Sequence, residues 1–126
     1  MRTQMEKAEL FRALHERPGA FIIPNPWDAG TAKLLAAMGF EALATTSLGL
    51  ANTLGSATVS RNAIIENCRA IAQATELPVN ADLENCGADE PKAARMKFND
   101  WLAVRYGRSP TSRNWANAPC GLIAMC

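Results

Sequence analysis

Segments with helical periodicity alternate with short apolar runs through the first 94 residues, and this alternation constrains the fold more than any other feature. Helical segments begin near residues 3, 28 and 60, and each is followed by an apolar run, at residues 20–23, 40–46 and 77–83. A continuous apolar run is typical of a strand buried on both faces, as strands of parallel sheets are. The pattern therefore predicts an α/β fold in which helices cover a parallel sheet.

Capping residues define where the predicted helices begin. Thr3 and Glu6 have the capping-box spacing, in which each side chain can accept a hydrogen bond from the other residue's amide. Asp28 and Ser60 are good N-caps for the second and third helices. Residues 47–58, which are rich in small side chains, are predicted to form a loop.

The number of strands that this chain can supply is small. One strand–helix unit of a (β/α)₈ (TIM) barrel takes about 30 residues, because eight units fill about 250. Residues 1–94 therefore correspond to about three units, an incomplete barrel. Residues 95–126 contain two of the three tryptophans and the only tyrosine, and show no sustained period. We expect an aberrant, poorly packed tail there, as a frameshift in the gene would produce.

Composition excludes several classes of function. The net charge of +1 and the charged fraction of 20% are typical of a soluble globular protein and favour neither a nucleic-acid nor a membrane partner. The first residues contain no apolar leader, which predicts a cytoplasmic protein. The four cysteines form no C-x-x-C pair, and the only histidine, His15, precedes the first predicted strand. Zinc-finger and Ser-His-Asp chemistry are therefore not expected.

Three stretches of sequence resemble a known superfamily. They are FIIPNPWDAG at residues 21–30, GFEALATTS at residues 39–47 and LPVNADLEN at residues 77–85. In this order and spacing they resemble the isocitrate lyase/phosphoenolpyruvate mutase superfamily, in its phosphonomutase-like or methylisocitrate-lyase-like branch, over residues 8–94. The resemblance implies a Mg²⁺-dependent lyase or mutase (an isomerase) that acts on a C–C or P–C bond of a small oxo- or hydroxycarboxylate. It also implies a family that often forms homo-oligomers.

Two carboxylates are candidates for a metal site. Asp82 and Glu84 end the third predicted strand, and alternate strand residues point the same way, so both can face one cation. Mg²⁺ prefers oxygen ligands and keeps several waters, so that one or two carboxylates suffice. The resemblance implies that Asp82 and Glu84 are metal-site acids. The alternative is a pair of solvated acids in a strand-to-helix loop.

Four residues after the second predicted strand are candidates for substrate binding: Thr46, Ser47, Leu48 and Gly49. Hydroxyls and free backbone amides in such a segment can hold a carboxylate, and the resemblance implies that they hold that of the substrate. The alternative is an ordinary Ser/Gly turn. The carboxyl ends of neighbouring parallel strands share one face of the sheet, so we expect Thr46 and Ser47 to lie beside the two acids.

The activity of this chain by itself is a separate question. No catalytic residue is assigned, because the family's further ligands belong to later strands. Residues 54–61 also contain no acid, although family members have an aspartate in that loop. We therefore expect an enzyme fragment that is inactive as this chain. The alternative from another functional class is a non-catalytic remnant or a small interaction module.

Overall fold

The computed structural model describes residues 2–84, 90 and 92–93, and the chain divides into two compact units after Asp82. Within the first unit, the elements are α1 (Gln4–Glu16), α2 (Ala29–Ala37), β1 (Leu43–Ala44), α3 (Ser47–Leu54), α4 (Arg61–Ala74) and β2 (Val79–Asn80). The predicted boundary after residue 94 and the predicted tail lie outside the described residues. No helix in the described part of the chain has the length and apolarity that a membrane span requires.

The predicted N-caps of α1, α2 and α4 are confirmed. Thr3 and Glu6 form the reciprocal capping box at α1. The Asp28 carboxylate accepts a hydrogen bond from the Thr31 N–H at the start of α2. Hydrogen bonds from the backbone and side chain of Thr31 hold the pKa of Asp28 below its ordinary value. The Ser60 hydroxyl caps α4. Local side-chain chemistry therefore determines where these three helices begin, as predicted.

The two strands pair in parallel, as the alternation of elements predicts. Leu43 lies opposite Val79, and the Thr45 N–H donates to the Asn80 carbonyl at 2.8 Å. Each strand has only two residues in regular pairing, which is much shorter than the predicted runs at 40–46 and 77–83. The described part of the fold is therefore a mixed, helix-rich α/β structure.

The prediction that residues 20–23 form a strand is wrong. This part of the chain is irregular, and the Ala44 N–H donates to the Pro24 carbonyl at 3.0 Å, so the segment lies beside β1. Pro24 and Pro26, which follow this segment, have no N–H to donate, so the bond at Pro24 is not continued into a regular ladder.

The predicted loop at residues 47–58 is also wrong over most of its length, because it contains α3. Thr46 caps this helix, and Gly55, which has a φ of +61°, ends it in the left-handed region that favours glycine. Leu50 and Ala51 are buried. Tertiary burial of one face therefore stabilises a helix whose small residues suggest a loop.

Two groups of buried side chains form the core. One lies between α2, α4 and the two strands, and the other lies between α1 and the chain just before β1. Their members are Ala32, Leu43, Ile71 and Val79 in the first group, and Phe11, Leu14 and Ala42 in the second. This packing holds the two strands together, so that the residues following each strand emerge at one edge.

Candidate functional site

Four polar residues lie where β1 and β2 end. Thr45, Thr46 and Ser47 follow β1, and Asp82 comes two residues after β2. Because the strands are parallel, both ends meet at the same edge of the sheet. We call Thr45, Thr46, Ser47 and Asp82 the carboxyl-edge cluster.

The carboxylate of Asp82 is hydrogen-bonded to the first residue of α3. Its Oδ2 accepts from both the N–H and the hydroxyl of Ser47, each at 3.0 Å. The first turn of a helix has backbone N–H groups without helical partners and carries a partial positive charge. The hydrogen bonds from Ser47 therefore hold the carboxylate at the N-terminus of α3.

The backbone of Asp82 is held from the neighbouring strand end. Its N–H donates to Thr45 Oγ1 at 2.8 Å, and the same oxygen lies 3.4 Å from Cys68 Sγ on α4. Thr45 is only 4% exposed. Burial raises the pKa of the Cys68 thiol, so this group is neutral near pH 7. The buried Thr45 hydroxyl, directly after β1, thus connects Cys68 on α4 with the backbone of Asp82.

The first turn of α3 is packed against an indole ring. A Cβ placed on Gly49 would lie 2.5 Å from Trp27 Cδ1 and 2.6 Å from Thr46 Cγ2, so only glycine fits. The Asn67 side chain donates to the Trp27 carbonyl at 3.1 Å, which anchors the backbone of this tryptophan to α4. Trp27 therefore forms one wall of the carboxyl edge, with 46% of its surface exposed.

The structure brings some of the predicted site residues together and separates others. Ser47 contacts Asp82 directly, and Thr46 caps α3. Gly49 is buried, whereas the Leu48 side chain is exposed. Glu84 is an exposed residue with a φ of +51° and belongs to the second unit. Its role as a metal acid stays a prediction.

Sequence reasoning missed Thr45. The residue lies in the predicted strand at residues 40–46, where the pattern predicts only a structural role for it. The available signal was a hydroxyl side chain at the end of an otherwise apolar run, directly before the candidate segment. That signal is weak, because Thr is common in strands for packing reasons.

The described residues fit a Mg²⁺ ion held by few protein groups. Within residues 2–84, 90 and 92–93, no three His, Cys, Asp or Glu side chains come together as a metal site. A lone carboxylate is sufficient where waters complete the coordination, as is usual for Mg²⁺. Asp82 supplies such a carboxylate. Ser47 donates two hydrogen bonds to it, and residues that hydrogen-bond to a metal ligand in this way fix the ligand's orientation.

Comparison with known families identifies the class of protein. The family model of phosphoenolpyruvate phosphomutase matches residues 11–103, which is most of the chain. The chain therefore belongs to this family, within the phosphoenolpyruvate mutase/isocitrate lyase superfamily that its three motifs resemble. The predicted α/β class is confirmed, whereas the incomplete barrel stays a prediction. The family is one of lyases and mutases.

Solved structures with the same fold come from lyases and mutases. A candidate lyase/mutase from Burkholderia cenocepacia J2315 is 52% identical, with a TM-score of 0.73 over 82% of this chain and 38% of that one. A candidate phosphonomutase from the same organism is 35% identical, with a TM-score of 0.65 over 72% of this chain and 37% of that one. A 2,3-dimethylmalate lyase is 27% identical, with a TM-score of 0.53 over 63% and 29%.

A relative from another organism matches over a similar part of this chain. The uncharacterized protein Rv1998c of Mycobacterium tuberculosis is 35% identical over 86 residues, which are 66% of this chain and 33% of the relative. The chain thus spans about a third of the length of the relatives and structures that it matches.

Proposed function

We propose that this chain carries the first strand–helix units of a (β/α)₈-barrel lyase or mutase that acts, with Mg²⁺, on a small oxo- or hydroxycarboxylate. Family membership supports the reaction class, and the similarity to a 2,3-dimethylmalate lyase and a candidate phosphonomutase supports C–C or P–C bond chemistry. The observation that carries the proposal is the contact of Asp82 with Ser47 at the carboxyl edge. Barrel enzymes place their active sites at this edge.

Asp82 is the proposed Mg²⁺ ligand. It is the carboxylate of the carboxyl-edge cluster, and hydrogen bonds hold it at both its backbone and its side chain. When bound, Mg²⁺ supplies positive charge that offsets the negative charge developing on substrate oxygens. Ser47 orients the carboxylate, since its N–H and its hydroxyl both donate to Oδ2.

The segment of Thr46, Ser47, Leu48 and Gly49 is the proposed binding site for the substrate carboxylate. It forms the N-cap and first turn of α3, and a helix N-terminus favours an anion. Trp27 limits the space above Gly49. The same turn therefore places the substrate next to the carboxylate that would hold the metal.

A mutation experiment tests the metal role. Mg²⁺ binding to the 126-residue chain is measured by titration calorimetry for the native protein and for Asp82→Asn, which keeps the shape but removes the charge. We expect Asp82→Asn to weaken the Mg²⁺ affinity at least about tenfold. Glu66→Gln, an exposed carboxylate on α4, is the matched control and should leave the affinity unchanged. Equal affinities for native protein and Asp82→Asn would show that Asp82 is not a ligand.

The activity of the chain alone forms part of the same proposal. The matched part of this chain covers only 38% and 29% of two of the matched structures, so we propose that this segment alone does not turn over substrate. The test supplies Mg²⁺ with a methylisocitrate-type and a phosphonopyruvate-type substrate, and measures pyruvate or phosphoenolpyruvate formation. Turnover of either substrate would refute the inactivity of the segment and would identify the bond that is broken.

An interaction module remains the alternative function. Several large apolar side chains are exposed on α2 and α3, among them Leu34 at 61% and Leu48 at 70%. Exposed apolar groups of this kind are typical of surfaces that bind other chains. A chain that binds neither Mg²⁺ nor a small carboxylate would favour this alternative.

A further inference from the structure

Thr45 has the most enclosed hydroxyl of the carboxyl-edge cluster. Its side chain is buried between β1 and α4, and its backbone N–H is already used in pairing with Asn80. The hydroxyl oxygen accepts the Asp82 N–H at 2.8 Å and lies 3.4 Å from Cys68 Sγ. The hydroxyl therefore contacts the backbone N–H of the residue whose carboxylate is the proposed metal ligand.

Thr45 and Ser47 hold Asp82 from two sides. Thr45 binds its N–H, and Ser47 binds its Oδ2. Asp82 is partly buried, and an N–H that loses its partner in such a place is costly, so loss of the Thr45 hydroxyl would favour a shift of Asp82 toward water or another acceptor. A shift of the backbone would move the carboxylate away from Ser47.

We infer that Thr45 is a positioning residue, whose hydroxyl sets the place of the Asp82 carboxylate through the Asp82 backbone N–H. The inference rests on the proposed function in one respect, namely that this carboxylate holds the metal. It adds that the affinity for the metal depends on a residue that touches neither metal nor substrate. Mutation of a residue that hydrogen-bonds to a metal ligand typically lowers the metal affinity by about 10- to 100-fold.

The test compares Thr45→Val with Thr45→Ser. Valine keeps the shape and removes the hydroxyl, whereas serine keeps the hydroxyl. Thr75→Val is the matched control, because Thr75 is also buried and its hydroxyl accepts a backbone N–H, that of Leu77 at 3.3 Å, at the end of α4. For each variant of the full chain, Mg²⁺ affinity is measured by calorimetry and the exchange rate of the Ser47 amide proton is measured by NMR.

We expect Thr45→Val to weaken Mg²⁺ binding about tenfold and to speed exchange of the Ser47 amide, because Asp82 no longer accepts its hydrogen bond. Thr45→Ser should restore both values to within about twofold of the native protein, and Thr75→Val should change neither. Equal effects of Thr45→Val and Thr75→Val, or an unchanged Ser47 exchange rate in Thr45→Val, would overturn the inference.

The two readouts separate this inference from the proposed function. If Asp82→Asn leaves the Mg²⁺ affinity unchanged, the proposed metal role fails. The exchange rate of the Ser47 amide still decides whether Thr45 positions the carboxylate, because it reports the hydrogen bond to Asp82 and does not require the metal.

Discussion

Gly49→Ala is the sharpest test of how the carboxyl edge is built. The new methyl group would lie 2.5 Å from Trp27 Cδ1, 2.8 Å from Trp27 Nε1 and 2.6 Å from Thr46 Cγ2. Thr46 cannot rotate away without loss of its N-cap bond to the Gly49 N–H, and hydrogen bonds from Trp27 to Thr31 and from Asn67 to Trp27 hold the tryptophan backbone. The indole ring must therefore move.

The magnitude follows from opposing effects. Overpacking of this kind costs about 1–3 kcal/mol, and loss of the Thr46 cap costs about 1 kcal/mol. Alanine is favoured over glycine inside a helix by up to about 1 kcal/mol, which offsets part of this cost. The expected result is a loss of about 1–3 kcal/mol in the free energy of unfolding.

Denaturant unfolding, followed by circular dichroism, measures this loss. Gly30→Ala is the matched control, because a Cβ on that glycine of α2 meets only Asp28 Oδ1, at 3.3 Å, and should leave stability unchanged or slightly raised. In a Trp27→Ala background, Gly49→Ala should cost at least about 1 kcal/mol less than in the native chain. The same cost in both backgrounds, or no cost at all, would refute the packing of Trp27 on Gly49.

Three further predictions concern single groups. Lys7→Met should lower the free energy of unfolding by about 1–3 kcal/mol, because the buried Lys7 ammonium donates to the Thr75 carbonyl at 2.8 Å at the end of α4. Denaturant unfolding measures this loss, and an unchanged midpoint of the denaturant transition would contradict it. Asp28→Ala should cost about 1 kcal/mol at pH 7, and the difference from native protein should vanish in acid. The Asp28 pKa is lowered on folding by hydrogen bonds from Thr31, so its contribution is present above the unfolded pKa and is lost as pH falls through the folded one; a difference that persists in acid would count against it. Burial raises the pKa of the Cys68 thiol, so native protein should lose stability relative to Cys68→Ala as pH rises above about 8.5; parallel pH profiles would exclude this.

The parallel pairing of the two strands and three of the described helix starts could be predicted from the sequence. Thr3, Asp28 and Ser60 act through bonds to amides two or three residues away, so a short window of sequence contains all the necessary chemistry. The family motifs were likewise readable, because their residues are contiguous.

Parts of the candidate site could not be predicted, for a physical reason. The sequence named Asp82 and Ser47 as neighbours, since parallel strands end on one face, and the structure brings them into contact. It did not indicate that Ser47 donates twice to the carboxylate, nor that Thr45 holds the Asp82 backbone. These bonds join residues 35 and 37 positions apart, and their partners depend on strand register at the level of single residues.

The sequence by itself determined the α/β class, the N-caps Thr3, Asp28 and Ser60 and the family, because each depends on local or contiguous residues. Tertiary structure alone decided that residues 47–54 form a helix and that residues 20–23 do not form a strand. The first depends on burial of Leu50 and Ala51 against the rest of the unit, which compensates for weak local preference. The second depends on the pairing of backbone N–H groups with a neighbouring strand, and two prolines limit that pairing.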